Sequence, residues 1–260
     1  MVISHKYRYI FIQTPKTASS TIAIALCNRY DGEEILHKHA TFDEYLAQAS
    51  EAERKYFSFA GVRNPLDVVV SRFELRKSGE INETIEHKRQ NQFIQESGGD
   101  FGDYFQTFVV EANINVHNPA IVPANWWSKS FQDIDYIYRY ENLAEDFSAI
   151  LKKIGAQQAR DLPLSNRTEG KVDFLKYYDR ATLEQAYKIF FPYLDCWGYA
   201  IPDSIRRQVL AQQQIKEALS SLRTEILDTR PGILKRLLYR QENIIHQKIL
   251  ITLEALCQEN

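Results

Sequence analysis

The chain has 260 residues and a formal net charge of −2 at pH 7, with 44% hydrophobic and 25% charged residues. A chain of this size and balance is typical of one sizeable globular domain with extensions, and it can bury a substantial core. The nearly neutral charge argues against a dominant surface for nucleic acid or anionic membrane, so any basic site must be local.

The predicted strands and helices alternate along the first 200 residues. Apolar runs predict strands at 7–13, 34–37, 56–62 and 135–140. Helical segments are expected to follow them at 20–29, 41–52, 65–77 and 141–154. This alternation predicts an α/β domain over residues 1–200, with a mainly parallel sheet and helices on both faces.

A lysine- and hydroxyl-rich loop, residues 14–21, joins the first strand to the first helix. The helix directs its free N-terminal N–H groups and the positive end of its dipole at this loop. Lys16 adds a full charge, and further hydroxyl donors come from Ser19, Ser20 and Thr21. A phosphate or sulfate is the expected ligand, although the loop lacks the glycines of a Walker A motif. The alternative is an ordinary turn whose hydroxyls cap the helix.

A second polar turn follows the strand at 56–62. Asn64 can cap the next helix, and Pro65 suits its first position. Arg63 is expected at the carboxyl end of the strand, where open α/β sheets bind ligands, and its guanidinium can hold a second phosphate through two hydrogen bonds. Ser71 is expected just beside the buried stripe of the helix. Two such loops predict a ligand with phosphates at both ends.

Together the two loops resemble those of the sulfotransferases that use 3′-phosphoadenosine 5′-phosphosulfate (PAPS). Residues 14–21 look like the 5′-phosphosulfate loop of that family, and residues 63–71 look like its 3′-phosphate motif, with the same eight-residue spacing. The segment 138–143 is similar to the strand-and-helix element that follows the family's specificity region. The resemblance covers about 7–200 and is strongest to carbohydrate-type and bacterial members. It implies a P-loop NTPase-like sulfotransferase fold that transfers a sulfuryl group from PAPS to a hydroxyl of a small molecule or carbohydrate.

The resemblance also implies a role for each residue of the two loops. Lys16 would contact the oxygen that bridges phosphate and sulfate, and the 5′-phosphate would be wrapped by Thr17, Ala18, Ser19, Ser20 and Thr21. Arg63 and Ser71 would hold the 3′-phosphate, while Arg167 would either cover it or be a solvated loop residue. Many relatives have glycine where this chain has Ala18, so no strained positive φ is expected there.

Transfer to a hydroxyl requires a base, and histidine has the side-chain pKa nearest neutrality. His37 and His39 follow the predicted strand at 34–37, and residues two apart on extended backbone share a face, so they could act as a pair. The resemblance favours His39 as the base, with His37 orienting the substrate. The pair could instead bind a metal or be ordinary surface, but no third ligand is suitably spaced and no metal is expected. Glu141 is an alternative base, or it serves a helix dipole.

Two further regions have less defined roles. The aromatic-rich insertion at 78–130 could line an acceptor pocket or pack as a secondary core. Residues 201–260 carry two amphipathic helical segments, which would form a hairpin packed on the domain or a homodimer contact. The competing functions are a P-loop-type kinase, which would need Mg²⁺ ligands, and a non-catalytic nucleotide-binding protein on the same fold.

Cysteine usage and the N-terminal residues indicate the compartment. The three cysteines are odd in number and far apart, so a disulfide framework is not expected. A reducing compartment is expected instead. The four-residue apolar run near the N-terminus is too short for a signal peptide or a membrane anchor. The expectation is a cytoplasmic protein without a membrane span, or a domain of a longer protein.

Overall fold

The computed structural model describes residues 1–79, 84–111, 131, 133–157 and 173–229, with side chains described up to residue 221. Its sheet has the strand order β3-β1-β2-β4-β5. The strands are β1 Val2–Ser4, β2 Tyr9–Ile12, β3 Glu33–Glu34, β4 Phe57–Val62 and β5 Tyr136–Arg139. The α-helices are α1 Ser19–Arg29, α2 Phe42–Gln48, α3 Pro65–Lys77, α4 Ile85–Glu96, α5 Phe101–Phe105, α6 Leu143–Lys153, α7 Arg180–Cys196 and α8 Asp203–Thr229.

The predicted α/β class is confirmed, but the sheet is mixed rather than mainly parallel. Among the described strands, β2, β4 and β5 pair in parallel, whereas β1 pairs antiparallel with both β2 and β3. The three-residue β1 forms a hairpin with β2 and was absent from the prediction, because so short a run has no distinctive pattern. The predicted strand at 34–37 is wrong beyond Glu34, since Leu36 has a positive φ of 55°.

The centre of the sheet is covered on both faces. All four residues of β2 are buried, and successive residues of a strand point to opposite sides of the sheet. On one side the rings of Phe11 and Phe59 stack with centroids 5.0 Å apart. Tyr30, at the end of α1, meets Phe147 of α6 edge-on at 6.2 Å within the same buried cluster. β2 is apolar and buried along its whole length, and α1 covers the sheet directly after it, as predicted.

The described part of the aromatic insertion packs as core. Phe73 of α3 contacts the rings of Phe101 and Tyr104, each at 5.3 Å between centroids. Phe105 is fully buried, and Phe108 is 6% exposed. These four insertion residues therefore support the interpretation as secondary core rather than as a pocket wall. Other residues of the insertion, His117, Trp126 and Trp127, lie outside the described residues.

The chain divides into two compact units, Met1–Tyr199 and Ala200–Asn260. The described part of the second unit contains the 27-residue helix α8. The second amphipathic segment expected after Pro231 and Gly232 lies outside the described residues. Within the described part of the chain, no helix is long and apolar enough to cross a membrane.

Candidate active site

The backbone of the first loop alternates in hand just before α1. Lys16 and Ala18 have positive φ angles of 64° and 60°, whereas Thr17 between them does not. Alternation of left- and right-handed residues turns consecutive N–H groups toward one concave point, which is how loops bind anions. Ala18 is the residue before α1, and it contributes no side-chain cap to the helix. The first N–H groups of α1 are therefore not capped by that side chain and can bind an anion.

The expectation that Ala18 avoids a positive φ is wrong. Its φ of 60° and ψ of 20° lie in the left-handed region, where an alanine is strained by its Cβ. The methyl group packs against the buried cluster between the sheet and α1. Loop geometry and this contact thus hold Ala18 in a conformation that glycine adopts without strain.

Ala18→Gly is expected to change the free energy of unfolding by less than about 1 kcal/mol. Relief of about 1–2 kcal/mol of left-handed strain offsets the lost methyl contact and the extra freedom of glycine in the unfolded chain. Ala18→Val keeps the strain and adds a branched Cβ, so it should cost about 2 kcal/mol or more. Urea unfolding of the three proteins measures both values. Equal losses for the glycine and valine variants would contradict the left-handed assignment.

The inner side of the loop is held by a buried hydroxyl network. Thr14 Oγ1 donates to the Gly61 carbonyl at 2.7 Å and lies 2.9 Å from Thr17 Oγ1. The Tyr138 hydroxyl donates to the Thr17 carbonyl at 3.0 Å and lies 3.1 Å from Thr17 Oγ1. Thr17 is fully buried, so its hydroxyl serves this network and only its backbone N–H is left for a ligand. The sequence did not indicate that Thr14 and Tyr138 support the loop.

Gly61 makes room for the tyrosine that reaches the loop. A Cβ at Gly61 would lie 2.2 Å from Cζ of Tyr138 and 2.5 Å from its hydroxyl oxygen, far inside van der Waals contact. Gly61 sits in β4 and Tyr138 in the neighbouring β5, directly opposite each other. The available sequence signal was a glycine inside an apolar strand, which marks a close approach of another group.

The hydroxyl residues that open α1 differ in exposure. Ser19 and Thr21 are buried at 4% and 9% exposure, whereas Ser20 is exposed. All three lie in the first turn, where the N–H groups of the helix have no partner within it. The structure therefore brings these predicted residues to the N-terminus of α1, where free N–H groups can bind an anion.

Arg63 lies where the prediction placed it, at the end of β4, and it connects the two loops. Its Nη1 donates to the Lys16 carbonyl at 3.0 Å, and its Nε pairs with Asp67 Oδ2 at 2.9 Å. The guanidinium also stacks 4.0 Å from the centroid of the Tyr140 ring. The Tyr193 hydroxyl donates to the Arg63 carbonyl at 3.2 Å. Arg63 is thus fixed beside the first loop, and Asp67 is a supporting residue that sequence reasoning missed.

The start of α3 agrees with the predicted capping. The Asn64 side chain accepts a hydrogen bond from Leu66 N at 3.0 Å, and Pro65 occupies the first turn. Ser71 is half-buried within α3. Arg167 lies outside the described residues, so its predicted role stays a prediction.

Lys16 lies in a cluster of positive charge. Burial and the neighbouring charges of Arg72, Arg63 and Arg76 lower the pKa of its ammonium group to about 8. Like charges at short range raise the free energy of the protonated amine, and an anion beside them reverses that effect. The cluster is therefore suited to a multiply charged anion. Arg72 and Arg76 are additions that the sequence prediction did not contain.

The two histidines are held by different elements. His39 Nδ1 is 2.8 Å from the Gln13 carbonyl, directly before the first loop. Because a carbonyl only accepts, Nδ1 carries the hydrogen and Nε2 keeps its lone pair, as a base requires. His37 Nε2 instead lies 3.1 Å from Glu44 Oε1, and 67% of the His37 side chain is exposed. The argument for a pair depended on an extended strand at 34–37, which the structure lacks.

Partial burial lowers the pKa of His39, which makes the neutral imidazole the prevailing form at neutral pH. Neighbouring Lys38 and the N-terminal amine act in the same direction, and the hydrogen bond to Gln13 opposes them. The residue as a whole is exposed, so an acceptor molecule can approach its ring. His39 therefore has the charge state and access that a general base needs.

Glu141 has a structural role at the start of α3. Its Oε1 accepts from Asn64 N at 2.7 Å, and its Oε2 accepts from the Tyr199 hydroxyl at 3.2 Å. Both oxygens are thus engaged, which favours the helix-terminus interpretation over that of a base. Among the described residues, no group of three or more His, Cys, Asp or Glu side chains could hold a metal ion.

The parallel strands β2 and β4, each followed by a loop and a helix, define an α/β fold with two strand-loop-helix units at the carboxyl edge of its sheet, where folds of this class bind ligands. A family model described as the sulfotransferase family matches residues 1–200. The chain belongs to the sulfotransferase family, and it is a transferase of sulfuryl groups. No curated protein and no solved structure gave a match.

Proposed function

We propose that the protein transfers a sulfuryl group from PAPS to a hydroxyl of a small molecule or carbohydrate, with His39 as the general base. The observation that carries the proposal is the hydrogen bond from His39 Nδ1–H to the Gln13 carbonyl. It attaches the neutral imidazole to the end of β2, beside the loop that contains Lys16. Transfer of a charged group to a hydroxyl requires a base close to an anion-binding loop, and both would lie at this strand end.

The donor would lie across the two loops. Lys16, the backbone N–H groups of residues 17–21 and the N-terminus of α1 would hold the 5′-phosphosulfate. Arg63 and Ser71 would hold the 3′-phosphate. The bond from Arg63 to the Lys16 carbonyl supports this assignment, because it connects the second loop directly to the first.

The reaction would be an in-line displacement at sulfur. His39 Nε2 accepts the proton of the acceptor hydroxyl while that oxygen forms a bond to sulfur. The bond between sulfur and the 5′-phosphate oxygen breaks, and adenosine 3′,5′-bisphosphate leaves. Lys16 and the α1 N-terminus stabilise the charge that develops on the departing phosphate, since positioning and electrostatics dominate transfers of this type.

The residues support PAPS more than ATP as the nucleotide. Loop residues 14–21 lack the glycines and the late lysine of a Walker A motif, and Arg63 and Ser71 provide for a 3′-phosphate that ATP lacks. A cytoplasmic location and a homodimer through residues 201–260 are further proposals. So is the absence of a nucleic-acid partner, which the net charge of −2 supports.

Calorimetric titration tests the proposal with two ligands, adenosine 3′,5′-bisphosphate and ADP with Mg²⁺. We expect the wild-type protein to prefer the bisphosphate, and we expect Arg63→Ala to weaken that binding by about 1–3 kcal/mol, the range for a lost charged hydrogen bond. Equal binding of ADP with Mg²⁺ would support a kinase. Binding of neither ligand would refute the donor assignment.

Two further variants separate ligand contact from folding. Arg63→Ala leaves the buried Asp67 carboxylate without the Arg63 guanidinium, because the two side chains are only 7% and 4% exposed. The double variant Arg63→Ala/Asp67→Asn also removes the Asp67 charge, and it should show the same loss of bisphosphate affinity. Ser71→Ala should weaken the bisphosphate by about 1 kcal/mol, the usual value of one hydrogen bond, without affecting unfolding.

A further inference from the structure

Arg72 has a buried donor that finds no hydrogen-bond partner among the described residues. The residue follows Ser71 in α3, and within the described part of the chain its Nε is shielded from solvent and makes no hydrogen bond. Buried polar atoms in proteins nearly always have a partner, and an unpaired donor on a charged group is especially unfavourable. A donor in this state, next to a site for anions, points to a ligand that completes it.

Arg72 belongs to the cluster of positive charge around Lys16. Among the neighbouring cations, Arg72 lowers the pKa of Lys16 more than Arg63 or Arg76 does. Tyr104 also interacts electrostatically with Arg72, and its phenol is protonated because burial raises its pKa to about 12. The Asp67 carboxylate already pairs with Arg63 Nε. Arg72 and Lys16 therefore form a cationic pair suited to a shared anion.

We infer that Arg72 is a ligand of the sulfuryl group, which it binds together with Lys16. This inference rests on the proposed function. The 3′-phosphate is assigned to Arg63 and Ser71, which leaves the phosphosulfate as the anion next to Lys16. An arginine presents Nε–H and Nη–H as parallel donors, which match two oxygens of a tetrahedral anion. During transfer the charge is spread over three sulfuryl oxygens, so the same contact stabilises the transition state.

The test compares PAPS with adenosine 3′,5′-bisphosphate, because the two ligands differ in the sulfuryl group. Calorimetric titrations use the wild type, Arg72→Gln, Arg72→Lys and Lys77→Gln. Lys77 is exposed on the same helix, so its variant loses the same charge without the buried donor. We expect Arg72→Gln to lower affinity for PAPS about 10- to 100-fold, while affinity for the bisphosphate changes by less than about 3-fold. Lys77→Gln should leave both affinities within about 3-fold of the wild type.

Arg72→Lys keeps the charge and removes the Nε donor, so it remains informative if the glutamine variant does not fold. It should lose about 3- to 10-fold in PAPS affinity only. Equal losses for both ligands, or no loss for PAPS, would overturn the assignment of Arg72 to the sulfuryl group. A wild-type protein that binds neither ligand would instead refute the proposed function on which the inference rests.

Discussion

His39→Asn is expected to lower kcat by about 10²- to 10⁴-fold, the contribution of a positioned general base. Asparagine can place its side-chain N–H where His39 Nδ1 donates to the Gln13 carbonyl, and it has no basic nitrogen to replace Nε2. The loop should therefore keep its shape while the base is lost. The measurement is transfer of radiolabelled sulfate from PAPS to whichever hydroxyl compound the wild type sulfates fastest.

His37→Ala is the matched control, since His37 is exposed and contacts Glu44 of α2 instead of the loop. Its rate should stay within about 3-fold of the wild type. Bisphosphate affinity should also be unchanged in His39→Asn, because a base acts on the acceptor and not on the nucleotide. A large effect of His37→Ala, or full activity of His39→Asn, would assign the base elsewhere.

The pH dependence of the same reaction gives a second readout of His39. Partial burial lowers the pKa of His39 below the usual value of 6.5, and only the neutral imidazole accepts a proton. On the acid side, the rate should therefore reach half of its plateau value at a pH below 6.5. In His39→Asn the remaining activity should lack this acid limb.

Gly61→Ala is expected to destabilise the protein by about 3 kcal/mol or more, at the upper end of the range for overpacking. The new methyl group would lie 2.2 Å from the Tyr138 ring, and neither β4 nor β5 can shift without breaking their pairing. Displacement of Tyr138 would also break its bond to the Thr17 carbonyl. Urea unfolding of the wild type and the variant measures the loss.

A double-mutant cycle identifies the cause. Tyr138→Ala removes the ring, so adding Gly61→Ala to that background should cost less than about 1 kcal/mol. Tyr138→Phe keeps the ring and removes the hydroxyl, which should cost about 1–2 kcal/mol and weaken bisphosphate binding through the loop. The interpretation fails if Gly61→Ala is equally costly with and without the Tyr138 ring.

The sequence was sufficient to predict the local units of the site. Both strand-loop-helix units were recognised because apolar runs, the cap at Asn64 and the proline after it act over a few residues. The contacts that support the loops could not be predicted from the sequence, since Tyr138 and Thr17 are 121 positions apart. No local pattern in the sequence indicates such a pair.

The errors have similar physical origins. The strand at 34–37 was predicted from Ile35 and Leu36, but only the polar pair Glu33–Glu34 joins the sheet, at its edge beside β1. Ala18 was expected to avoid a left-handed backbone on the basis of its own preference, which loop closure and packing override. The cationic cluster was missed in the same way, because Arg72 and Arg76 approach Lys16 only in the folded chain.

Two hydrogen bonds from neighbouring parts of the chain hold the backbone of the first loop. The Tyr138 hydroxyl donates to the Thr17 carbonyl, and the Arg63 guanidinium donates to the Lys16 carbonyl. A site preorganised in this way loses little conformational entropy when its ligand arrives, so more of the contact energy remains as affinity. Under the proposed function, the same frame would hold both the donor and the spent nucleotide. The spent nucleotide would then compete with fresh donor for the free site.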